Sequence, residues 1–295
     1  MTIKFIADSA ADLPKNIVEK YDIDVFPLYV HHGDDHYKDG VEMSADKLYA
    51  NMKKGESYKT SQVAVNDFIE KFEEYAKNGD SVIYLSLSSE LSGTYQSAVL
   101  AKNQVKEKYP DFDLALIDSK SASMGIGLAI HNLVQEHSQK NLNKDEIIEK
   151  AMYYATHMEH IFTVDDLDYL VKGGRLNKVA GFVGGILNIK PIIEIKNGKL
   201  EQLEKKKGSK RVMKRIIELV EERGSNLSEQ TLGIVHADDK EAAEKLKAKV
   251  KEKTDCKSVI ISEAGAVIGA HTGPGTYGIF FINDNKKINE VQMIW

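Results

Sequence analysis

Short apolar runs bounded by turn residues alternate with stretches of helical periodicity through the first half of the chain. Lys4 to Ala7, Ser81 to Leu87 and Leu114 to Ile117 have the length and near-continuous apolar character of buried strands, which predicts a parallel sheet. Phe68, Ile69, Phe72, Tyr75 and Ala76 recur on one face of a helix that stops at Asn78-Gly79, and Tyr95, Ala98, Val99 and Val105 mark a second helix. Strands linked through helices make a doubly wound α/β unit. Val25 to His32 and His36 to Lys38, parted by Gly33-Asp34-Asp35, predict a short hairpin appended to it.

The second half has a different rhythm. Lys190 to Lys196 and Lys199 to Leu203 flank Asn197-Gly198, the pair best suited to the positive φ angles of a type I′ turn. Leu232 to His236 and Ser258 to Ile261 enclose a charged helix from Lys240 to Lys251, and Thr276 to Ile282 adds a strand. At 295 residues the chain suits two domains. The expected fold is therefore α/β in two domains: residues 1–158 as an α/β/α unit with a mainly parallel sheet, and residues 159–295 as an α/β unit with a mixed or antiparallel sheet. No repeat, low-complexity stretch or Pro/Gly/Ser-rich linker marks the boundary.

Composition narrows the function. Hydrophobic residues at 42% and charged residues at 29% are ordinary for a globular protein, and a net charge of -5 speaks against a general nucleic-acid binder. The single cysteine, Cys256, allows no intrachain disulfide and suits a reducing compartment. The first residues lack the basic start and apolar stretch of a signal peptide, and no apolar run reaches the roughly 18 to 20 residues of a membrane span, so a cytoplasmic protein is expected.

Polar residues collect beyond the carboxyl ends of the predicted strands, where open α/β sheets bind ligands: Asp8-Ser9, Ser86 to Ser92 with Thr94, and Asp118-Ser119. Within Ser88-Ser89-Glu90-Leu91-Ser92-Gly93-Thr94-Tyr95, Ser92 occupies the N-cap position of a helix, and Gly93 would admit a ligand close to the backbone. The unpaired first amides and the macrodipole suit a small anion there, although an ordinary N-cap explains the same residues. Thr60-Ser61-Gln62 offers a hydroxyl pair that either faces a ligand or bonds locally to its own backbone. His271 lies in a glycine-rich turn, Gly269 to Gly278, as a donor to a carboxylate, a base or a structurally bonded loop histidine. Residues 273–278 match the dinucleotide fingerprint in form, but with no strand before and no helix after them they make no nucleotide site.

Further along, Asp165 to Leu176 reads as a short helix closed by Gly173-Gly174. Arg175 just beyond it is either a phosphate or partner contact or the mate of one of three aspartates. From Lys205 to Arg215 seven of eleven residues are basic, a solvated helix face or a docking surface for an acidic protein or phosphate. His31-His32-Gly33-Asp34-Asp35-His36 holds metal-type ligands without a metal-site spacing. The sequence contains no phosphate loop, no Gly-x-Ser-x-Gly elbow and no Cys-x-x-Cys pair, which counts against self-sufficient ATP or ester chemistry.

Five pieces in order, Phe5-Ile6-Ala7-Asp8-Ser9, Thr60-Ser61-Gln62, Leu91 to Gln96, Asp166 to Leu170 with Gly173-Gly174-Arg175, and His271 to Gly275, resemble the DegV family across nearly the whole chain. The resemblance implies a two-domain protein that buries a long-chain fatty acid and serves a fatty acid kinase catalytic subunit as its binding partner. ATP and Mg would then belong to that subunit, with no catalytic residue, metal or cofactor in this chain. It assigns the ligand carboxylate to Ser61, Ser92 and His271, supported by Thr60, Gly93, Thr94 and Thr272, and phosphate or partner contacts to Arg175 and Lys207. Transient contact with a membrane surface is compatible with the role. Val63-Ala64 stands where the family often has Pro-Ser, and Lys207-Gly208 where arginine before glycine is common. Gly181 to Leu187 is expected to line the acyl tunnel or to pack as a core helix. Two other functions fit the same residues: an acyl hydrolase or acyltransferase with Ser92 as nucleophile and His271 as base, and a lipid sensor without a kinase partner.

Overall fold

A computed structural model describes residues 3–177 and 189–285, so the expected tunnel or core segment 181–187 lies outside the described residues. The first half runs β1 (Ile3–Asp8), α1 (Lys15–Tyr21), β2 (Asp24–Phe26), β3 (Tyr29–His32), β4 (Asp35–Lys38), α2 (Ala45–Met52), β5 (Lys59–Ser61), α3 (Val65–Asn78), β6 (Ser81–Ser86), α4 (Thr94–Lys108), β7 (Leu114–Asp118), α5 (Met124–Lys140) and α6 (Lys144–His157). The second continues with β8 (Met158–Thr163), α7 (Asp168–Lys172), β9 (Ile189–Lys196), β10 (Lys199–Lys207), α8 (Ser209–Arg223), β11 (Thr231–His236), α9 (Lys240–Thr254), β12 (Ser258–Glu263), α10 (Ala266–Thr272) and β13 (Tyr277–Ile282).

The three apolar runs of the first half are the parallel strands β1, β6 and β7, and β2 completes the sheet in the order β2-β1-β6-β7. All six residues of β6 are buried, as a central strand covered on both faces requires. The predicted strand from Val25 to His32 is broken at Pro27. Asp24–Phe26 pairs with β1, whereas Tyr29–His32 joins a separate antiparallel sheet, β4-β3-β5. Proline brings no amide to a ladder, and the next amide, of Leu28, donates instead to Ser9 Oγ at 3.1 Å.

The second sheet has the order β10-β9-β8-β13-β11-β12 and is mixed: only β11 and β12 are parallel, with α9 as their crossover. Asn197 at φ 50° and Gly198 at φ 81° make the turn between β9 and β10. Side chains alternate across β13. Phe280 and Ile282 enter a core shared with the first sheet and α5, while Ile279 and Phe281 enter a second core beneath α8 and α9 with Ile192, Val212 and Leu232. The first half of α5 is buried nearly all round, which hides the one-sided periodicity that marks α3.

Two expectations change. The basic run from Lys205 is no single helix face, because Lys205–Lys207 ends β10 and α8 begins at Ser209. His271 lies not in a turn but in the last turn of α10, whose C-cap is Gly273 at φ 74°. The glycines and Pro274 are the stop signal of this helix, and its small apolar residues fold because α2, α7 and β3 pack against it.

Candidate functional site

The loop after β6 is fixed from below. Asp8, at the end of β1, accepts the Leu87 amide and the Tyr84 hydroxyl, each at 2.7 Å. The chain then turns so that the amides of Leu91 and Ser92 reach Ser88 O at 3.0 and 3.1 Å. Ser92 Oγ accepts the Thr94 amide at 3.2 Å and lies 2.9 Å from Thr94 Oγ1. Helix α4 starts one residue later than the N-cap expectation, with Gly93 at the cap position. Ser92 and Thr94 thus form one hydroxyl pair at the start of the helix. The close approach that Gly93 permits is taken up here by the Gln62 side chain, 2.1 Å from where a Cβ would stand.

On β5 the alternation of side chains lets only one of the adjacent hydroxyls face inward. It is Thr60, whose Oγ1 lies 2.6 Å from His271 Nε2. Ser61, expected to hold the ligand, is exposed and its Oγ lies 2.7 Å from His31 Nε2 on the outer sheet. The register of a three-residue strand decides this, and nothing in Thr60-Ser61-Gln62 announces that register.

The His271 ring is wedged against Gly173, where an added Cβ would stand 2.2 Å from Nδ1. Burial, and secondarily the charge of Arg175, lower its pKa to about 4, so the ring is neutral near pH 7. Arg175 does not mate with the aspartates of its own segment among the described residues. Its Nε donates to Leu91 O at 3.1 Å and its Nη1 to Gly173 O at 2.6 Å, while Asp165 and Asp168 pair with Lys190 and Lys172. The guanidinium is therefore half-buried beside Ser92 and His271.

These groups line one cavity between the two sheets, in which about 90 Å³ is open to the centres of water-sized molecules. Its walls are chiefly apolar: Leu28, Leu87 and Leu91 from the first half, Phe162, Ile195, Leu200 and Phe280 from the strands of the second, and Val267 and Ile268 from α10. Thr60, Ser92, Arg175, His271, Thr272 and Thr276 supply polar groups, and Ser123 and His160 lie elsewhere on the lining. Thr272 Oγ1 is committed to Ile268 O at 3.1 Å. Lys207 is exposed at the far end of β10, seven residues from the cavity-lining Leu200, roughly 23 Å along the strand, and does not line the cavity.

Two other expectations are resolved by contact. Ser92 Oγ is joined to Thr94 and His271 Nε2 to Thr60, so a serine–histidine dyad is not formed. His31 and His36 face each other across β3 and β4, but among the described residues no group of three or more His, Cys, Asp or Glu is arranged to hold a metal ion. No helix among them is long and apolar enough to cross a membrane.

A family model described as an uncharacterised protein of the DegV family matches residues 2–284. The chain belongs to the DegV family. A DegV domain-containing protein of Clostridium perfringens is 39% identical over 289 residues, covering 96% of this chain and 99% of the relative. The DegV fold recurs in a stearic acid-binding protein from Eubacterium ventriosum, at TM-score 0.87 and 29% identity over 96% of this chain and 98% of the other. It recurs again in the Streptococcus pneumoniae fatty acid kinase B3 protein loaded with linoleic acid, at TM-score 0.84 and 25% identity over 96% of this chain and 100% of the other.

Proposed function

We propose that this DegV protein binds one long-chain fatty acid, the acyl chain in the cavity between the sheets and the carboxylate among Thr60, Ser92, His271 and Arg175. The observation that carries the reading is an apolar cavity whose lining includes two hydroxyls, a neutral imidazole bonded to one of them and a half-buried guanidinium. Fatty acids bound by structural neighbours of the same fold support it.

Each group has a definable part. Burying methylenes at about 0.8 kcal/mol each gives a C16 chain on the order of 10 kcal/mol before ordering costs, so the tail supplies the affinity. A buried carboxylate opposes this unless its oxygens are hydrogen-bonded. Ser92 Oγ accepts an amide, and with the Thr94 hydroxyl donating to it as well it keeps its own proton for the ligand. Thr60 can donate to the ligand only if His271 Nε2–H donates to Thr60 Oγ1, so an anionic ligand selects that tautomer. Arg175 has two donors committed to carbonyls, and its remaining N–H groups and charge offset the carboxylate.

We further infer that the bound acid is presented to a fatty acid kinase subunit, which brings ATP and Mg for acyl phosphate formation and leaves this chain the tasks of holding and orienting. Native mass spectrometry of gently purified protein, followed by extraction and identification of the bound lipid, tests the first step. A stoichiometric long-chain acid is expected; a protein that carries none and takes up none from added palmitate or oleate overturns it. ATP-dependent consumption of the bound acid on addition of a kinase subunit tests the second, and no consumption would leave a lipid sensor.

A further inference from the structure

Asp8, Asp12 and Asp39 are buried, and none has a basic partner among the described residues. Two of them grip one helix end. Asp12 Oδ1 accepts the Gly265 amide at 2.8 Å while its Oδ2 takes the Ser123 hydroxyl at 2.5 Å. Asp39, just beyond β4, accepts the Ala266 amide at 2.9 Å. Gly265 lies between the two carboxyls: a Cβ there would stand 3.2 Å from Asp12 Oδ1 and 3.4 Å from Asp39 Oδ1. These amides open α10, which runs only seven residues and has His271 in its last turn. So short a helix does not sustain itself; its packing on α2, α7 and β3 and the groups at its ends together fix where it sits.

We propose that Asp12 and Asp39 are positioning residues for His271: by holding the first amides of α10 they set the seat of its last turn, and proton uptake at Asp39 loosens that seat. Burial raises Asp39 to about 6 and Asp12 to about 8, Asp12 being raised further by the charges of Asp39 and Asp8, itself at about 6. Near neutral pH Asp39 is thus the member of the pair that carries charge. A charged acceptor holds an N-terminal amide more strongly than a neutral one and also meets the helix dipole. The titratable groups facing the pair are each other, Asp8 at the end of β1, and Tyr49 of α2, whose hydroxyl donates to Ala264 O; Glu263 and Asp238 lie beyond Tyr49. Asn in place of Asp39 keeps the acceptor and removes the charge.

The ligand readout rests on the fatty-acid reading; the ring readout does not. The ring signals of His271 are followed by NMR in ligand-free protein from pH 8 to pH 5, a window in which His271, at about 4, stays neutral. In parallel, affinity for a C16 alkyl sulfonate, a probe whose own charge does not change, is measured across the same window. Wild type is expected to show a His271 shift with a midpoint near 6 and a loss of affinity on the order of threefold to tenfold on acidification. Asp39→Asn is expected to abolish both dependences and to sit at the low-pH values throughout. A wild-type ring signal that stays flat, or a folded Asp39→Asn protein with unchanged pH dependence of that signal, overturns the proposal. Should Asp39→Asn not fold, a flat wild-type ring profile still refutes it. A ring that responds through Asp39 in a protein that binds neither sulfonate nor palmitate refutes the fatty-acid reading and leaves the positioning role intact.

Discussion

At its C-terminal end α10 presents His271 to a hydroxyl and a guanidinium, and at its N-terminal end it is held by two carboxyls; one seven-residue helix therefore joins the proposed carboxylate site to a pair of acids. The first end keeps its imidazole neutral by burial, with Arg175 as the positive charge close by. The second buries acids with no matching cation among the described residues, at a cost in stability near neutral pH. The contrast teaches that polar burial is costly at both ends but is resolved differently. A hydrogen bond satisfies the neutral imidazole at one end, and helix amides receive charge where the protein supplies it at the other.

The comparison breaks most severely at the ligand end. His271→Ala leaves Thr60 without its partner and should weaken fatty acid binding on the order of 30-fold to 100-fold, read by displacement of a fluorescent fatty acid. An unchanged affinity would remove His271 from the site. Gly173→Ala puts a methyl group against Nδ1 of the ring and should cost about 1 to 3 kcal/mol of stability along with about tenfold in affinity. Loss of stability with affinity intact would show that the ring can move without consequence.

At the other end the sign depends on pH. The pKa of Asp12 is raised in the folded state, so the folded protein retains a proton that the unfolded chain releases. Its contribution to stability is then fully present below about pH 4 and lost as pH rises toward 8. Asn accepts from Gly265 and donates to Ser123 without that burden. Asp12→Asn should therefore stabilise the protein relative to wild type at pH 8, by on the order of 1 kcal/mol, and show no such gain at pH 4, as thermal unfolding at the two values would reveal. Equal differences at both would dismiss the titration. The smallest effect is expected from Ser61→Ala, within about 0.5 kcal/mol of wild type in stability and unchanged in affinity, whereas Thr60→Ala resembles His271→Ala. A Ser61 effect as large as that of Thr60 would reverse the inward assignment on β5.

Much of this architecture is legible in the amino-acid order. The buried strands β1, β6 and β7 announce themselves by apolar runs, α3 by its stripe, and the β9–β10 hairpin by Asn197-Gly198. Ser92 and His271 are marked by their position beyond a strand and beside glycines. What stays hidden depends on tertiary contacts. The break at Pro27 needs a second sheet to receive β3; α10 reads as a turn because its packing on α2 and α7 is invisible in its own residues; and Arg175 is drawn inward by the carbonyls of Leu91 and Gly173 rather than by the aspartates beside it. Asp12 and Asp39 carry no local signal, since their partners lie 253 and 227 positions away.

Thr60 and His271 are separated by 211 positions, and their contact has a temporal meaning. During synthesis at about 5 to 20 residues per second, the first half of the site emerges on the order of 10 to 40 s before the histidine that completes it. For that interval the apolar wall built by Leu28, Leu87 and Leu91 lacks a complete second sheet to cover it, since β13, between β8 and β11, is made last. The nascent chain thus passes through a stage in which this apolar wall is exposed, and the contact that closes the polar end of the cavity forms only once His271 has been made.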